Sequence, residues 1–314
     1  MWRLDALDGL FLMSELLPPT IDPVAAQRWH KGAPTLSPWL HEEVGKRMQE
    51  RLQWITRAPQ SWCHWHAVRG GLQAHEMVAQ RYPKAMCYVV ETAPRMQAAA
   101  QAHWARSWWS PANWTGGKTL VRMPEAGSVE MLWANMALHT QAEPLQMIQA
   151  WQRALTVDGF LMFSCLGPDT ARELRQMYAA QGWPAAGHQF TDMHDWGDML
   201  VQSGFAEPVM DMESITLTFE TPERLLQELR GVGCNLHPQR FAALRGRGFL
   251  QQLHLALGKH MRLDGSEGQF ALTFELVYGH AFKSQPRVAI GEESTVSLDT
   301  MRSMLRQGKQ QGKR

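Results

Sequence analysis

Apolar positions along the chain fall into two alternating rhythms. Trp39, Leu40, Val44, Met48, Leu52 and Ile55 recur at helical spacing, with Glu42, Glu43, Lys46, Arg47 and Arg51 on the polar side, and Pro59 ends the run. Shorter runs then read as strands: Ser61 to His66, Met86 to Glu91, Lys118 to Arg122, Val129 to Ala134 and Phe160 to Cys165. The last of these is apolar throughout, as expected of a strand buried on both faces. Helical stretches separate them: Leu72 to Arg81, Pro94 to Arg106 with proline in its first turn, and Pro144 to Leu155. Further helices are predicted over 170–180, 195–203, 222–230 and 241–257. Further strands are predicted over Val209 to Phe219, where Ile215, Leu217 and Phe219 alternate with Thr216 and Thr218, and over Phe270 to Phe282.

Strands that alternate with helices from about residue 60 to 165 imply βαβ units and a parallel sheet covered on both faces. The expected fold is therefore α/β, a Rossmann-like three-layer sandwich. Its seven-stranded sheet is mainly parallel, with an antiparallel last strand. Five regions follow: an N-terminal helical segment (1–57), a nucleotide-binding core (58–180), a helical cap with one core strand (181–257), the last core strand (258–285) and a flexible tail (286–314). Ligands on such sheets bind at the carboxyl ends of strands, where the strand order switches.

Composition narrows the function classes. The 314 residues carry a formal net charge of +1, with 45% hydrophobic and 19% charged residues, so neither wholesale disorder nor a nucleic-acid footprint is expected. No apolar run reaches membrane-spanning length, and Met1 to Leu17 lacks a cleavage site; it reads as an amphipathic docking helix. Cys63, Cys87, Cys165 and Cys234 are scattered, which favours reduced thiols over zinc, and a cytoplasmic location. The 14 Trp and 19 Met suit an apolar binding surface, although codon bias also accounts for the tryptophan. His64, His66 and His75 lack a carboxylate at ligand spacing and read as a packed cluster beside Trp62 and Trp65, not a metal site.

Three stretches carry a family resemblance. Val129 to Arg175 includes VEMLWANMALH and LTVDGFLMFSCLGPDTARELR; the later stretches are SGFAEPVMDMESITLTFETPERLLQELRGVG and LTFELVYGHAFK. The sequence resembles the malonyl-acyl-carrier-protein O-methyltransferases of biotin synthesis, within the class I S-adenosylmethionine-dependent methyltransferases, over most of residues 38–285. Related mitochondrial complex I assembly factors share several of these stretches. The resemblance implies S-adenosylmethionine as methyl donor and the free carboxylate of malonyl-acyl-carrier protein or malonyl-CoA as acceptor; the near-neutral charge and the short apolar runs add the expectation that neither nucleic acid nor membrane is a partner.

The family also implies site residues. Its acid-x-Gly-x-Gly-x-Gly loop, aligned on Gly71, puts Ala67 and Arg69 at the other two glycines and Trp65 at the acid. Arg69 then either grips the methionine carboxylate of the cofactor or marks a decayed pocket, with Gly70 and Gly71 beside it. Glu91 is placed for ribose hydroxyls, or else serves the dipole of the next helix; Met96 is placed against adenine. Asn135 is a cofactor candidate that a turn after the strand would also explain. Trp133, His139 and Arg230 are acceptor-side candidates. His139 also reads as a packed side chain, and Arg230 as a helix-end cation favoured by the dipole. The altered loop keeps a second function class open, a catalytically silent member of the fold acting in binding or assembly. A third is a methyltransferase or hydroxylase acting on a protein side chain.

Overall fold

The computed structural model describes residues 21–105, 118–241, 243–262 and 269–285. The expected docking helix over 1–17, the loop at 108–117 and the basic tail lie outside them. The chain enters through α1 (Pro23–Gly32) and α2 (Trp39–Arg51). The core follows as β1 (Ser61–Trp65), a single helical turn α3 (Ala67–Gly70), α4 (Leu72–Arg81), β2 (Met86–Val90), α5 (Pro94–Trp104) and β3 (Thr119–Val121). Then come β4 (Val129–Ala134), α6 (Pro144–Ala154), β5 (Leu155–Leu166), α7 (Arg172–Ala180) and α8 (Met193–Gln202). The chain closes with β6 (Phe205–Phe219), α9 (Pro222–Val232), α10 (Arg247–His260) and β7 (Phe270–Lys283).

The seven strands form one sheet in the order β3-β2-β1-β4-β5-β7-β6. Strands β1 to β5 run parallel to one another, and β7 runs antiparallel to both β5 and β6. The expected architecture is thus the one observed. Helix boundaries follow local chemistry. Asp22 caps α1 by accepting from the Val24 and Ala25 amides at 2.8 and 3.2 Å, and prolines occupy the first turns of α1, α5, α6 and α9.

Several of the tryptophans lie in the interior, while Trp39 and Trp54 are exposed. Trp62, Trp133, Trp151 and Trp196 are among the largest fully buried side chains, each a large apolar area removed from water. β5 and β7 sit between layers and are buried along most of their length. A small separate cluster joins Ile21, Ala25 and Ala26 to Leu236, so α1 packs on the segment that follows α9. The backbone amide of Asp22 donates to the Leu236 carbonyl at 2.9 Å, and Arg240 pairs with the Asp22 carboxylate at 2.5 Å. No helix among the described residues is long and apolar enough to cross a membrane.

Candidate functional site

The strand order switches between β1 and β4, and a cavity opens at their carboxyl ends. Its floor is the loop after β1. His66 follows the strand directly and takes a left-handed backbone, φ 57° and ψ 48°, where glycine is the residue without a steric cost. Gly70 ends the α3 turn, and a Cβ there would meet the Asn135 carbonyl oxygen and His64 Nε2, both at 3.1 Å. The glycine pattern can also be laid through these two positions. The acid falls at His64 and the glycines at His66, Val68 and Gly70, one residue earlier than the alignment on Gly71 gives. Gly71, at φ 119°, faces α2 instead, where a Cβ would meet Glu42 Oε2 at 2.9 Å. That carboxylate accepts from the Leu72 and Ala74 amides at 2.9 and 3.0 Å, so α2 supplies the N-terminal cap of α4.

Glu91 stands just beyond the end of β2 and lines this cavity, with Met96 of α5. Its Oε1 accepts the Val68 amide at 2.7 Å, and its other oxygen has no hydrogen-bond partner among the described residues. Burial raises its carboxyl to about 7, against the lowering effect of the Val68 hydrogen bond. Asn135 is buried and fully engaged. Its amide nitrogen donates to the carbonyls of His41 (2.7 Å) and Gly70, and its oxygen accepts from Ser164 Oγ at 2.6 Å. It lines the cavity while tying the β1 loop to α2 and β5.

Arg69 lines the cavity as well, but its guanidinium is spoken for. Nη1 donates to the carbonyls of Pro34 and Leu36, both at 3.3 Å, and Nη2 to those of Gly231 (2.7 Å) and Val232 (3.1 Å). No carboxylate pairs with it among the described residues, and burial lowers it to about 10. Imidazoles from His30, His41, His66 and His139 complete the wall. Burial holds His41 at about 3 and His139 well below the usual range, so both are neutral at physiological pH. The cavity is narrow, about 50 Å³, and the His66 imidazole occupies the side where the pattern calls for glycine.

A second, larger cavity of about 210 Å³ adjoins it. The two share His139, Thr140 and Val232. Its walls are Leu166, Leu174, Phe190, Leu226, Leu229 and Phe274, and the cations Arg175 and Arg230 also line it. No acidic side chain lines it among the described residues. The GPDT-x-x-ELR run builds this wall. Arg175 donates to the Thr170 and Pro168 carbonyls at 2.8 and 2.5 Å, and Glu275 of β7 accepts the Asp169 amide at 2.9 Å. Arg230 is exposed at the rim and has no ion-pair partner among the described residues. Trp133 is wholly buried on β4 and lines neither cavity.

The sequence reading missed His30, His41, His66 and His188 as cavity residues and Glu42 as a clamp on the loop. Only His66 carried a local signal, its place directly after a strand in a loop expected to be glycine-rich. His64 and His75 stack, with Nδ1 atoms 3.1 Å apart and the Trp62 ring against His75 at 4.9 Å.

No family model matches the chain. It is 36% identical over 264 residues to the malonyl-[acyl-carrier protein] O-methyltransferase of Gallionella capsiferriformans, covering 79% of this chain and 86% of that protein. It is 36% identical over 255 residues to the protein of the same name from Laribacter hongkongensis (79% and 84% covered). For that of Legionella pneumophila the identity is 31% over 252 residues (79% and 85% covered). Among solved structures it is similar to the YcgJ protein of Bacillus subtilis, at a TM-score of 0.49 and 10% identity, covering 77% of this chain and 99% of that one.

Proposed function

The chain belongs to the malonyl-[acyl-carrier protein] O-methyltransferase family, and from that premise we propose that it transfers a methyl group from S-adenosylmethionine to the free carboxylate of a malonyl thioester in biotin synthesis. The observation that carries this reading is the pair of joined cavities. A narrow acid-and-apolar site at the strand switch meets a larger apolar cavity with two arginines and no acid in its lining.

The described residues fit the nucleoside half of the cofactor. Glu91 has an oxygen to spare for ribose hydroxyls, Met96 and Ala93 offer an apolar face to a purine, and Gly70 leaves the backbone bare beside Asn135. When bound, S-adenosylmethionine supplies an electrophilic methyl, which passes to a carboxylate oxygen as its carbon–sulfur bond breaks, with no proton changing hands. No general base is therefore needed, and His139 is suited to the junction for another reason: as a neutral imidazole it does not repel a sulfonium. Arg230 at the rim holds the acceptor carboxylate by a charge-assisted hydrogen bond, and the apolar walls exclude water from the transfer. Acyl-carrier protein is the acceptor's carrier in this reading, and malonyl-CoA is the competing source of the same thioester. The protein works in the cytoplasm.

The test is binding followed by turnover. Calorimetric titration with S-adenosylhomocysteine is expected to give a dissociation constant of roughly 10–300 μM, about −5 to −7 kcal/mol. Labelled methyl is then expected on malonyl-acyl-carrier protein in preference to malonyl-CoA. Absence of both heat and thermal shift at millimolar cofactor would replace this reading with the silent binding or assembly protein, which the histidine and valine at glycine positions favour.

A further inference from the structure

Arg69 sits in the cofactor-side loop, yet all four of its terminal N–H bonds are used on segments far away in sequence. Two go to the stretch between α1 and α2, at Pro34 and Leu36. The other two go to Gly231 and Val232, the last two residues of α9. Carbonyls in a helix's last turn have no partner within the helix, and the same end carries the negative pole of the dipole. A guanidinium there satisfies both demands. The α9 end needs this from outside, because its own C-cap, Gly233, is extended and returns only one bond, from its amide to the Leu229 carbonyl.

The same helix walls the larger cavity with Leu226, Leu229, Arg230 and Val232. Val232, whose carbonyl Arg69 holds at 3.1 Å, lines both cavities. The backbone of Arg69 is itself pinned. Its carbonyl accepts from Ser37 Oγ at 3.2 Å and bonds the His41 ring at 2.7 Å. The side chain also lies over the Trp29 ring, 5.1 Å from its centre. The arginine is thus a rigid strut between the β1 loop and α9.

We propose that Arg69 is a positioning residue, which caps the carboxyl end of α9 from the cofactor-side loop and so fixes the acceptor wall that carries Arg230. It acts on the acceptor through α9, and touches neither reacting atom. The inference rests on reading the larger cavity as the acceptor site. The strut itself does not.

Two measurements separate these. Hydrogen exchange of the ligand-free protein reads the strut without any assay of function. In Arg69→Ala the amides of Leu229 to Gly233 are expected to exchange at least tenfold faster, with an intermediate rate in Arg69→Lys, which keeps the charge but cannot reach four carbonyls. Steady-state kinetics read the consequence: acceptor KM rises tenfold or more in Arg69→Ala and is partly rescued in Arg69→Lys. Affinity for S-adenosylhomocysteine stays within threefold. Unchanged exchange at α9 in a folded variant overturns the strut. Faster exchange with an unchanged acceptor KM overturns the positioning role. A tenfold loss of S-adenosylhomocysteine affinity with acceptor KM unaltered makes Arg69 a cofactor ligand instead. If the wild-type protein methylates no malonyl thioester, the proposed function fails while the exchange result still decides the strut. Should Arg69→Ala not fold, Arg69→Lys and Arg69→Gln carry both readouts.

Discussion

Glu91 accepts the backbone amide of Val68 at 2.7 Å, joining the end of β2 to the turn after β1 across 23 residues of sequence. One carboxylate oxygen therefore shapes the loop, and the other is left for a ligand. Burial raises the folded carboxyl from 4.5 to about 7. Between those values the folded chain holds a proton that the unfolded chain has lost, so stability falls as pH rises through the window. Glu91→Gln removes that loss and keeps an acceptor for Val68. It is expected to be more stable than wild type at pH 8, on the order of 1–3 kcal/mol after allowance for partial exposure, and no more stable at pH 4. Urea unfolding at the two pH values checks it. Binding moves the other way: S-adenosylhomocysteine binds wild type more tightly at pH 8 than at pH 6, and calorimetry of Glu91→Gln shows no such slope.

Restoring glycine at the left-handed position is expected to help the cofactor side. His66→Gly removes a backbone cost of about 1 kcal/mol and clears an imidazole from the narrow cavity, at the loss of the hydrogen bond to Thr92 Oγ1. Affinity for S-adenosylhomocysteine should rise several-fold in titration. A weaker complex would mean that the imidazole itself contacts the ligand.

Arg230→Ala tests the acceptor grip. Loss of a charge-assisted contact of about 1.5–3 kcal/mol predicts an acceptor KM higher by roughly 10- to 100-fold, with cofactor affinity nearly unchanged. An unaltered KM in a purified assay removes Arg230 from the site.

Asn135→Ala addresses the loop's anchorage. The substitution leaves the buried carbonyls of His41 and Gly70 and the Ser164 hydroxyl without their partner. Denaturant unfolding is expected to show a loss of about 2–4 kcal/mol. A loss below about 0.5 kcal/mol would mean that other groups or water replace the amide.

The layered fold was legible because its signals are local. The apolar run at Phe160 to Cys165, the prolines that open α5, α6 and α9, and the alternation around Ile215 and Leu217 each mark an element within a few residues. The glycine loop was legible only as a departure. Its register depends on which residue turns left-handed, and the place of His66 directly after a strand is the one hint of it in Trp62 to Gly71. Partnerships were hidden for a different reason. Arg69 meets Gly231 across 162 residues and Glu42 meets Leu72 across 30. Their acceptors and donors are backbone groups, which every residue carries, so no side-chain pattern points to them. The acceptor wall lay between: GPDT-x-x-ELR stood out as a motif, while its dependence on Glu275 appeared only in three dimensions.

β7 is the last of the seven described strands in chain order, yet its place is inside the sheet, between β5 and β6. Phe160 to Leu166 and Phe205 to Phe219 have no lasting edge partner on that side until Phe270 to Lys283 has emerged from the ribosome. During that interval the nascent chain presents two unpaired strand borders, one of them apolar on both faces, which is the geometry that recruits foreign strands. A ribosome stalled before residue 283, or a premature stop there, thus yields a chain prone to cross-chain pairing and not merely a shorter one.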